Sequence, residues 1–199
     1  MLTSPELLED IRGYGSILRA WKGTRELESV VHAPGPGPLP FDDVLKFTSY
    51  VYALVKTDRQ ILVYRFYETA DIRAPYGEQH NSFTSGRVCD RNPARRMGGW
   101  WTPSRPGLTI DRLGYSDDHR KGDRASIAVK KEWNRFDYCV EAELVRGSLI
   151  YVGRTAMQAE DRSFETDRGR TIVYSGGAIQ FKLVEGFSLL HIHHEYENR

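Results

Sequence analysis

Apolar positions near the start of the chain follow the spacing of amphipathic helices. Leu7 and Ile11 lie four residues apart, and Ile17 and Trp21 repeat that spacing. Residues four apart share one face of a helix. We therefore expect residues 4–31 to be helical, with a break where two glycines interrupt the pattern.

A proline–glycine stretch separates this region from the next apolar pattern. Residues 32–40 contain four prolines and two glycines, a composition that favours neither helix nor strand. Beyond them, Val44 and Leu45 begin an apolar stripe that predicts a further helix over residues 42–55. Residues 1–57 are thus expected to form a helical N-terminal segment with a stiff linker inside it.

From residue 58 onward the pattern changes to that of strands. Residues 61–67 are rich in β-branched and aromatic side chains, and residues 138–145 alternate between apolar and polar, which is typical of half-buried strands. Further short strands are predicted at 124–129, 148–154, 172–174, 179–184 and 188–193. The expected fold class is α+β, with N-terminal helices followed by a β-rich domain over residues 58–199 that holds a twisted, mostly antiparallel sheet assembly.

Composition and charge narrow the class of protein. The 199 residues are 40% hydrophobic and 28% charged, as in a soluble globular protein. The 28 basic and 27 acidic residues give a net charge of +1, which argues against a general nucleic-acid binder. Cys89 and Cys139 lack nearby partners of metal-site spacing, so we interpret them as thiols in a reducing compartment. No signal-peptide pattern is present, so cytoplasmic synthesis is expected, and export without a cleaved signal is compatible with it.

Two segments combine polar groups with strand patterning. Arg65 lies in the middle of the strand 61–67, where a charged side chain faces either solvent or a partner in a cleft. An arginine that points inward can hold a phosphate or a carboxylate. The segment Trp100-Trp101-Thr102-Pro103-Ser104 joins two indole rings to two hydroxyls. By alternation one ring belongs to the core, and the other can form a wall against a ligand ring.

A third segment pairs two glycines with a glutamine. Gly176 and Gly177 allow a sharp turn or a close approach of the backbone to a ligand. Gln180 follows between Ile179 and Phe181, so strand alternation points it away from the face of those two. The glutamine can lie on the wet face of an edge strand, or at a cleft where its neutral amide donates and accepts hydrogen bonds.

Other patterns support alternative functions. His191, His193 and Glu195 could bind a metal, and Glu141 with Glu143 could act as an acid–base pair. The arginine-rich residues 87–105, together with Trp100 and Trp101, would suit a non-catalytic module that binds a nucleotide, RNA or protein. No phosphate loop or dinucleotide-binding glycine motif is present in the sequence.

The order of the three segments resembles the ADP-ribosyltransferase superfamily of bacterial toxin domains. The resemblance rests on Val63-Tyr64-Arg65-Phe66, Trp101-Thr102-Pro103-Ser104 and Gly176-Gly177-Ala178-Ile179-Gln180-Phe181, and it covers about residues 60–185. It implies a split β-sandwich with an NAD-binding cleft. It also implies cleavage of the nicotinamide–ribose bond of NAD without a metal.

The resemblance assigns roles to individual residues. It makes Gln180 the catalytic residue, aided by Arg65, which would also hold the NAD phosphates. The NAD-binding residues that it implies are Tyr64, Arg65, Trp100, Trp101, Thr102 and Ser104. Because glutamine is uncharged, hydrolysis of NAD, or transfer of ADP-ribose to an acceptor other than arginine, is expected over arginine modification. A toxin or effector of this kind implies a protein or nucleic-acid acceptor and an immunity protein as partner. No apolar run approaches the length of a transmembrane helix, so no membrane association is expected.

Overall fold

The computed structural model describes residues 3–29, 35–67, 100–103, 138–159, 173–174, 176–184 and 190–197, and the account of the fold concerns these. The helices are α1 (Ser4–Arg12) and α2 (Phe41–Val44), with a 3-10 turn at Thr48–Tyr50. The strands are β1 (Gly15–Lys22), β2 (Arg25–Ser29), β3 (Val51–Thr57), β4 (Ile61–Tyr67), β5 (Trp100–Trp101), β6 (Tyr138–Leu144), β7 (Leu149–Arg154), β8 (Gln158–Ala159), β9 (Val173–Tyr174), β10 (Ile179–Leu183) and β11 (Leu190–Glu197). None of the described helices is long and apolar enough to cross a bilayer.

The strands form two principal antiparallel sheets. The main sheet has six strands in the order β2–β1–β3–β7–β10–β5, the small sheet has three in the order β11–β6–β4, and β8 pairs with β9. Every pairing between described strands is antiparallel. The α+β class with mostly antiparallel sheets is therefore confirmed, whereas the ADP-ribosyltransferase type of sandwich stays a prediction. The main sheet contains strands from both sides of the predicted boundary at residue 57: β1, β2 and β3 precede it, and β5, β7 and β10 follow it.

Helix α1 is the predicted first helix, and it ends at the glycines where the sequence predicted a break. The Glu6 carboxylate accepts hydrogen bonds from the Thr3 backbone N–H at 2.6 Å and from the Thr3 hydroxyl at 2.9 Å, which fixes the first turn. Leu7, Leu8 and Ile11 are buried against the main sheet. The helix ends at Arg12, where Gly13 donates its N–H back to the carbonyl of Asp10.

The prediction of helix over the rest of residues 4–31 is wrong, because β1 and β2 form a hairpin there. Both faces of β1 are covered: Ile17 contributes to one core cluster, and Trp21 to another on the opposite face. Register shifts interrupt the strand alternation of β1 at two points. A strand that is apolar on both faces and carries bulges loses its two-residue period, and its apolar spacing then resembles that of a helix.

The helix predicted over residues 42–55 is also wrong. Only the single turn α2 and the 3-10 turn at Thr48–Tyr50 are helical there, and β3 runs through the centre of the main sheet between β1 and β7. Residues Val51 to Val55 are all buried, at 1% exposure or less. A strand buried on both faces is a continuous apolar run, which periodicity alone cannot distinguish from a buried helix.

Two apolar clusters lie on the two faces of the main sheet. The inner core fills the space between the main sheet, α1 and the small sheet, and includes Ile11, Val55, Val63 and Phe181. The outer cluster lies on the other face of the main sheet and consists of Trp21, Leu39, Val44, Phe47, Tyr52, Leu54 and Tyr151. Residues 35–50, which we call the strap, cross this outer cluster and contribute Leu39, Val44 and Phe47 to it.

Tyrosine hydroxyls fasten the start of the strap to the main sheet. The Tyr52 hydroxyl accepts a hydrogen bond from the Leu39 N–H at 3.1 Å and donates one to the Gly23 carbonyl at 3.0 Å. The Tyr151 hydroxyl donates to the carbonyl of Gly37. Burial raises the pKa of Tyr151 to about 12, so this hydroxyl keeps its proton at neutral pH. Residues 37–39 of the proline–glycine stretch are therefore held against the outer cluster by side chains of β3 and β7.

Tyr52→Phe is expected to destabilise the protein. The change removes one hydrogen-bond donor and leaves the buried Leu39 N–H without its acceptor, at a cost of about 1–3 kcal/mol. Urea denaturation followed by tryptophan fluorescence measures the loss. The matched control is Tyr50→Phe, since Tyr50 is 50% exposed. Equal stabilities of the two variants would contradict this account of the strap.

Candidate functional site

The two sheets meet at a short backbone contact between β4 and the end of β5. Tyr64 N–H donates to the Thr102 carbonyl at 2.7 Å, and Thr102 N–H donates to the Tyr64 carbonyl at 2.9 Å. On its other edge β5 pairs with β10, with Trp101 opposite Phe181. This junction brings together the three segments that the sequence analysis singled out, although they are far apart along the chain.

Thr102 also ties β5 to the start of β10 through its side chain. Its buried hydroxyl donates to the Ile179 carbonyl at 2.9 Å. Continuing the β5–β10 register by one residue places Thr102 opposite Gln180. Directly paired residues of antiparallel strands project to the same side of a sheet. Tyr64, Thr102 and Gln180 therefore form a row on the outer side of the junction.

Gln180 lies in this row, next to the strap. It is half-buried, and its other cross-strand neighbour is Gly153. The ring of Phe47, a strap residue, fills the space above that glycine, since a Cβ added to Gly153 would lie 2.4 Å from Phe47 Cδ1. The Gln180 amide makes no hydrogen bond to the part of the chain that the structure describes. Among the described residues, its neighbours include Gly153 and the Phe47 ring that packs over it.

The glycine pair before β10 forms a constrained turn. Gly176 has φ of +68°, and a Cβ there would lie 2.6 Å from the Thr155 carbonyl oxygen. Thr155 in turn donates its N–H to the Ala178 carbonyl at 2.8 Å and accepts from the Gly177 N–H at 2.9 Å. The hydrogen bonds of Thr155 fix the backbone just ahead of Gln180. The positive φ and the close Thr155 carbonyl leave no room for a side chain at position 176, so glycine is needed there.

The two adjacent tryptophans face opposite sides of β5. Trp101 belongs to the inner core at 1% exposure, and its indole N–H finds no acceptor among the described residues. Trp100 lies on the outer side, where its ring centroid is 5.6 Å from that of Phe47. The ammonium groups of Lys46 and Lys182 lie 4.5 Å and 5.4 Å from the Trp100 centroid. Trp100 therefore makes cation–π contacts with both lysines, which stabilise the position of its ring.

Arg65 lies at the gap where β4 and β5 diverge. It is half-buried, and its Nη1 donates to the Trp100 carbonyl at 2.9 Å. On β4 it is paired with the buried Val140, so its side chain leaves the strand towards the inner core. Tyr64 and Gln180 project to the other side. The structure brings Arg65 close to β5 and places its strand position on the opposite face from that of Gln180.

A charged cluster covers the outer side of β10 beyond Gln180. The Asp43 carboxylate contacts Lys46 Nζ at 2.8 Å and also Lys182 Nζ. Burial pushes the pKa of Asp43 upward, but hydrogen bonds from the two lysines outweigh it, so the pKa lies below its usual value of 3.8. The sequence analysis missed these three residues. Lys182 was detectable, since it follows Gln180 by two residues and so shares its face.

Other predicted residues lie elsewhere or outside the described residues. Ser104, Cys89, most of the arginine-rich stretch 87–105 and the strand predicted at 124–129 lie outside them. His191 and His193 are exposed on β11, with His193 Nε2 3.9 Å from a Glu143 carboxylate oxygen. Within the described ranges, no three His, Cys, Asp or Glu side chains are arranged to hold a metal ion.

Comparison with known proteins gives one distant match. No family model matches the chain, and no curated protein matches it. A chain of the solved structure of Tne2 in complex with Tni2 superposes with a TM-score of 0.41 and 15% identity, over 74% of this chain and 90% of that one. A superposition this loose assigns neither a fold family nor a function, so the proposal below rests on the residues of this chain.

Gly153→Ala is expected to destabilise the protein, because the added methyl group overlaps the Phe47 ring. Overpacking of this kind costs about 1–3 kcal/mol. Phe47→Leu should relieve the overlap, so the double variant should lose less stability than the sum of the two single variants. Gly37→Ala is the control, since a Cβ there meets no atom within 4 Å. Additive losses would show that Phe47 and Gly153 do not pack as described.

Asp43→Asn is expected to lower stability at neutral pH by about 1 kcal/mol, since a partly exposed ion pair contributes modestly. Because the folded-state pKa of Asp43 is depressed, its stabilisation is present above pH 3.8 and is lost as the pH falls through the folded value. The stability difference from wild type should therefore shrink at acidic pH. Thermal unfolding between pH 2.5 and pH 7, roughly the range over which a carboxyl titrates, measures it, with the exposed neighbour Asp42→Asn as control. A difference independent of pH would contradict the role of the carboxylate.

Proposed function

We propose that this protein is an NAD-consuming enzyme that cleaves the bond between nicotinamide and ribose. The observation that carries the proposal is the junction of β4, β5 and β10. There the three segments of the resemblance, which include Arg65, Thr102 and Gln180, lie on adjacent strands. The Gln180 amide is half-buried and has no hydrogen-bond partner among the described residues, and the backbone around it is held on both edges; such a group suits a ligand-binding position.

The proposed reaction is hydrolysis at the anomeric carbon of the nicotinamide ribose. The bond from C1′ to the pyridinium nitrogen breaks, its electron pair goes to nicotinamide, and a water oxygen bonds to C1′ with release of one proton. Gln180 would hydrogen-bond the ribose hydroxyls as the bond breaks. A neutral amide stabilises the positive charge that develops on the ribose less than a carboxylate does, which favours water or a non-arginine acceptor.

Arg65 would act on this site through β5. Its hydrogen bond to the Trp100 carbonyl holds the strand that carries Thr102, so a structural contribution to the site follows from this contact. Contact with the NAD phosphates stays a prediction from the resemblance. So do the roles of Ser104 and of the two tryptophans in the nicotinamide pocket.

The biological setting of the activity also stays a proposal. A role as a toxin or effector, an immunity protein as partner and synthesis in the cytoplasm follow from the resemblance and from the sequence. The non-catalytic alternative, in which the tryptophan pair stacks on bases, gains no support from the described residues. Trp101 is buried in the inner core, and Trp100 is engaged by Phe47 and two lysines.

The test is release of nicotinamide from NAD by the purified protein. Wild-type protein should release it, and Gln180→Ala should lower the rate by about 100-fold or more, as loss of one preorganised donor does. The control is Gln60→Ala, an exposed glutamine between β3 and β4. Product identification separates free ADP-ribose from a modified acceptor. No release above background, with cell lysate as acceptor source, would overturn the proposal.

A further inference from the structure

We infer that Lys46 and Lys182 form a subsite for the diphosphate group of the dinucleotide substrate. The inference rests on the proposed function for the identity of that substrate. It differs from the expectation of the resemblance, which gives the phosphates to Arg65. The two lysines lie on the outer side of the main sheet together with Gln180, whereas the strand position of Arg65 faces the inner core.

Lys182 shares the outer side of β10 with Gln180. The strand alternates between buried Ile179, Phe181 and Leu183 and the half-buried Gln180 and Lys182. Positions two apart on a strand are separated by about 6.6–6.8 Å, a span comparable with one ribose 5′-phosphate unit. A ribose held at Gln180 can therefore extend its 5′-phosphate along the strand towards the Lys182 ammonium group.

Lys46 brings a second cation to the same place from the strap. Both ammonium groups lie over Trp100, at 4.5 Å and 5.4 Å from its ring centroid. The backbone of Lys46 is fixed as well, because its carbonyl accepts the Ala156 N–H at 2.8 Å. Side-chain exposures of 38% for Lys46 and 25% for Lys182 leave both groups within reach of a ligand.

Asp43 indicates the chemistry that these two lysines accommodate. One of its carboxylate oxygens contacts Lys46 and the other contacts Lys182, so both ammonium groups converge on a single acidic group. The three side chains together carry a net charge of +1, which attracts an anion. A diphosphate carries more charge than a carboxylate, and it would displace Asp43 from at least one lysine.

Arg65 is less well placed for this role. Its strand position faces the inner core opposite Val140, and Nη1 is used by the Trp100 carbonyl. A dinucleotide with its ribose at Gln180 lies on the outer side of the junction, where the ammonium groups of Lys46 and Lys182 lie over the Trp100 ring.

Titration calorimetry with ADP-ribose, inorganic diphosphate and adenosine tests the subsite directly. Lys182→Met and Lys46→Met should each weaken ADP-ribose binding about tenfold or more, as loss of a charged hydrogen bond does, and leave adenosine binding unchanged. Lys182→Arg should retain most of the affinity. The exposed Lys56→Met is the control. Asp43→Asn should tighten diphosphate binding although it lowers stability, a combination that a purely structural role would not produce.

Steady-state kinetics separates this inference from the proposed function. In the lysine variants KM for NAD should rise with little change in kcat, and cleavage of nicotinamide riboside, which has no phosphate, should be unaffected. If wild type cleaves NAD but the lysine variants keep its KM and its affinity for ADP-ribose, the subsite is wrong. If no protein cleaves NAD but ADP-ribose binding depends on both lysines, the proposed reaction fails and the subsite stands.

Discussion

The backbone pairing between Tyr64 and Thr102 is the constraint on which the candidate site depends. Two hydrogen bonds hold the end of β5 against β4, while the other edge of β5 pairs with β10. The strands diverge beyond this point, and the Arg65 side chain crosses the gap to the Trp100 carbonyl. A two-residue strand thereby joins two sheets, and whatever fixes β5 also fixes the position of Gln180.

The strap turns the outer side of that junction into a lined site. Phe47 packs over Gly153 beside Gln180, and hydrogen bonds from Thr48 and Ala156 hold the strap against the strand β7 and its continuation. The same segment supplies Asp43 and Lys46 to the charged cluster. One stretch of chain therefore contributes apolar packing, a carboxylate and a cation on the same side as the candidate catalytic amide.

The alternation of apolar and polar residues predicted two strands of the structure well. In β10 and β6 apolar and polar residues alternate, and both strands lie within one or two residues of their predicted bounds. It failed for β1 and β3, which are buried on both faces, because the two-residue period disappears there. Of the candidate site, the order of three segments singled out Arg65, Thr102 and Gln180, and the fold brings these segments to adjacent strands. Phe47 and Lys46 could not, since their proximity depends on how the strap crosses the sheet.

The pairings around the site join segments that are distant in the chain. The Thr48 hydroxyl binds a carbonyl 107 residues away, and the Thr102 hydroxyl binds one 77 residues away. Contacts of such long range form only after large loops have closed, and loop closure costs chain entropy. Folding is therefore slowed to milliseconds or longer. The β1–β2 hairpin can form locally, but the junction cannot. The chain must therefore complete most of the main sheet before the candidate site is assembled, so a partly folded or partly synthesised chain would lack it.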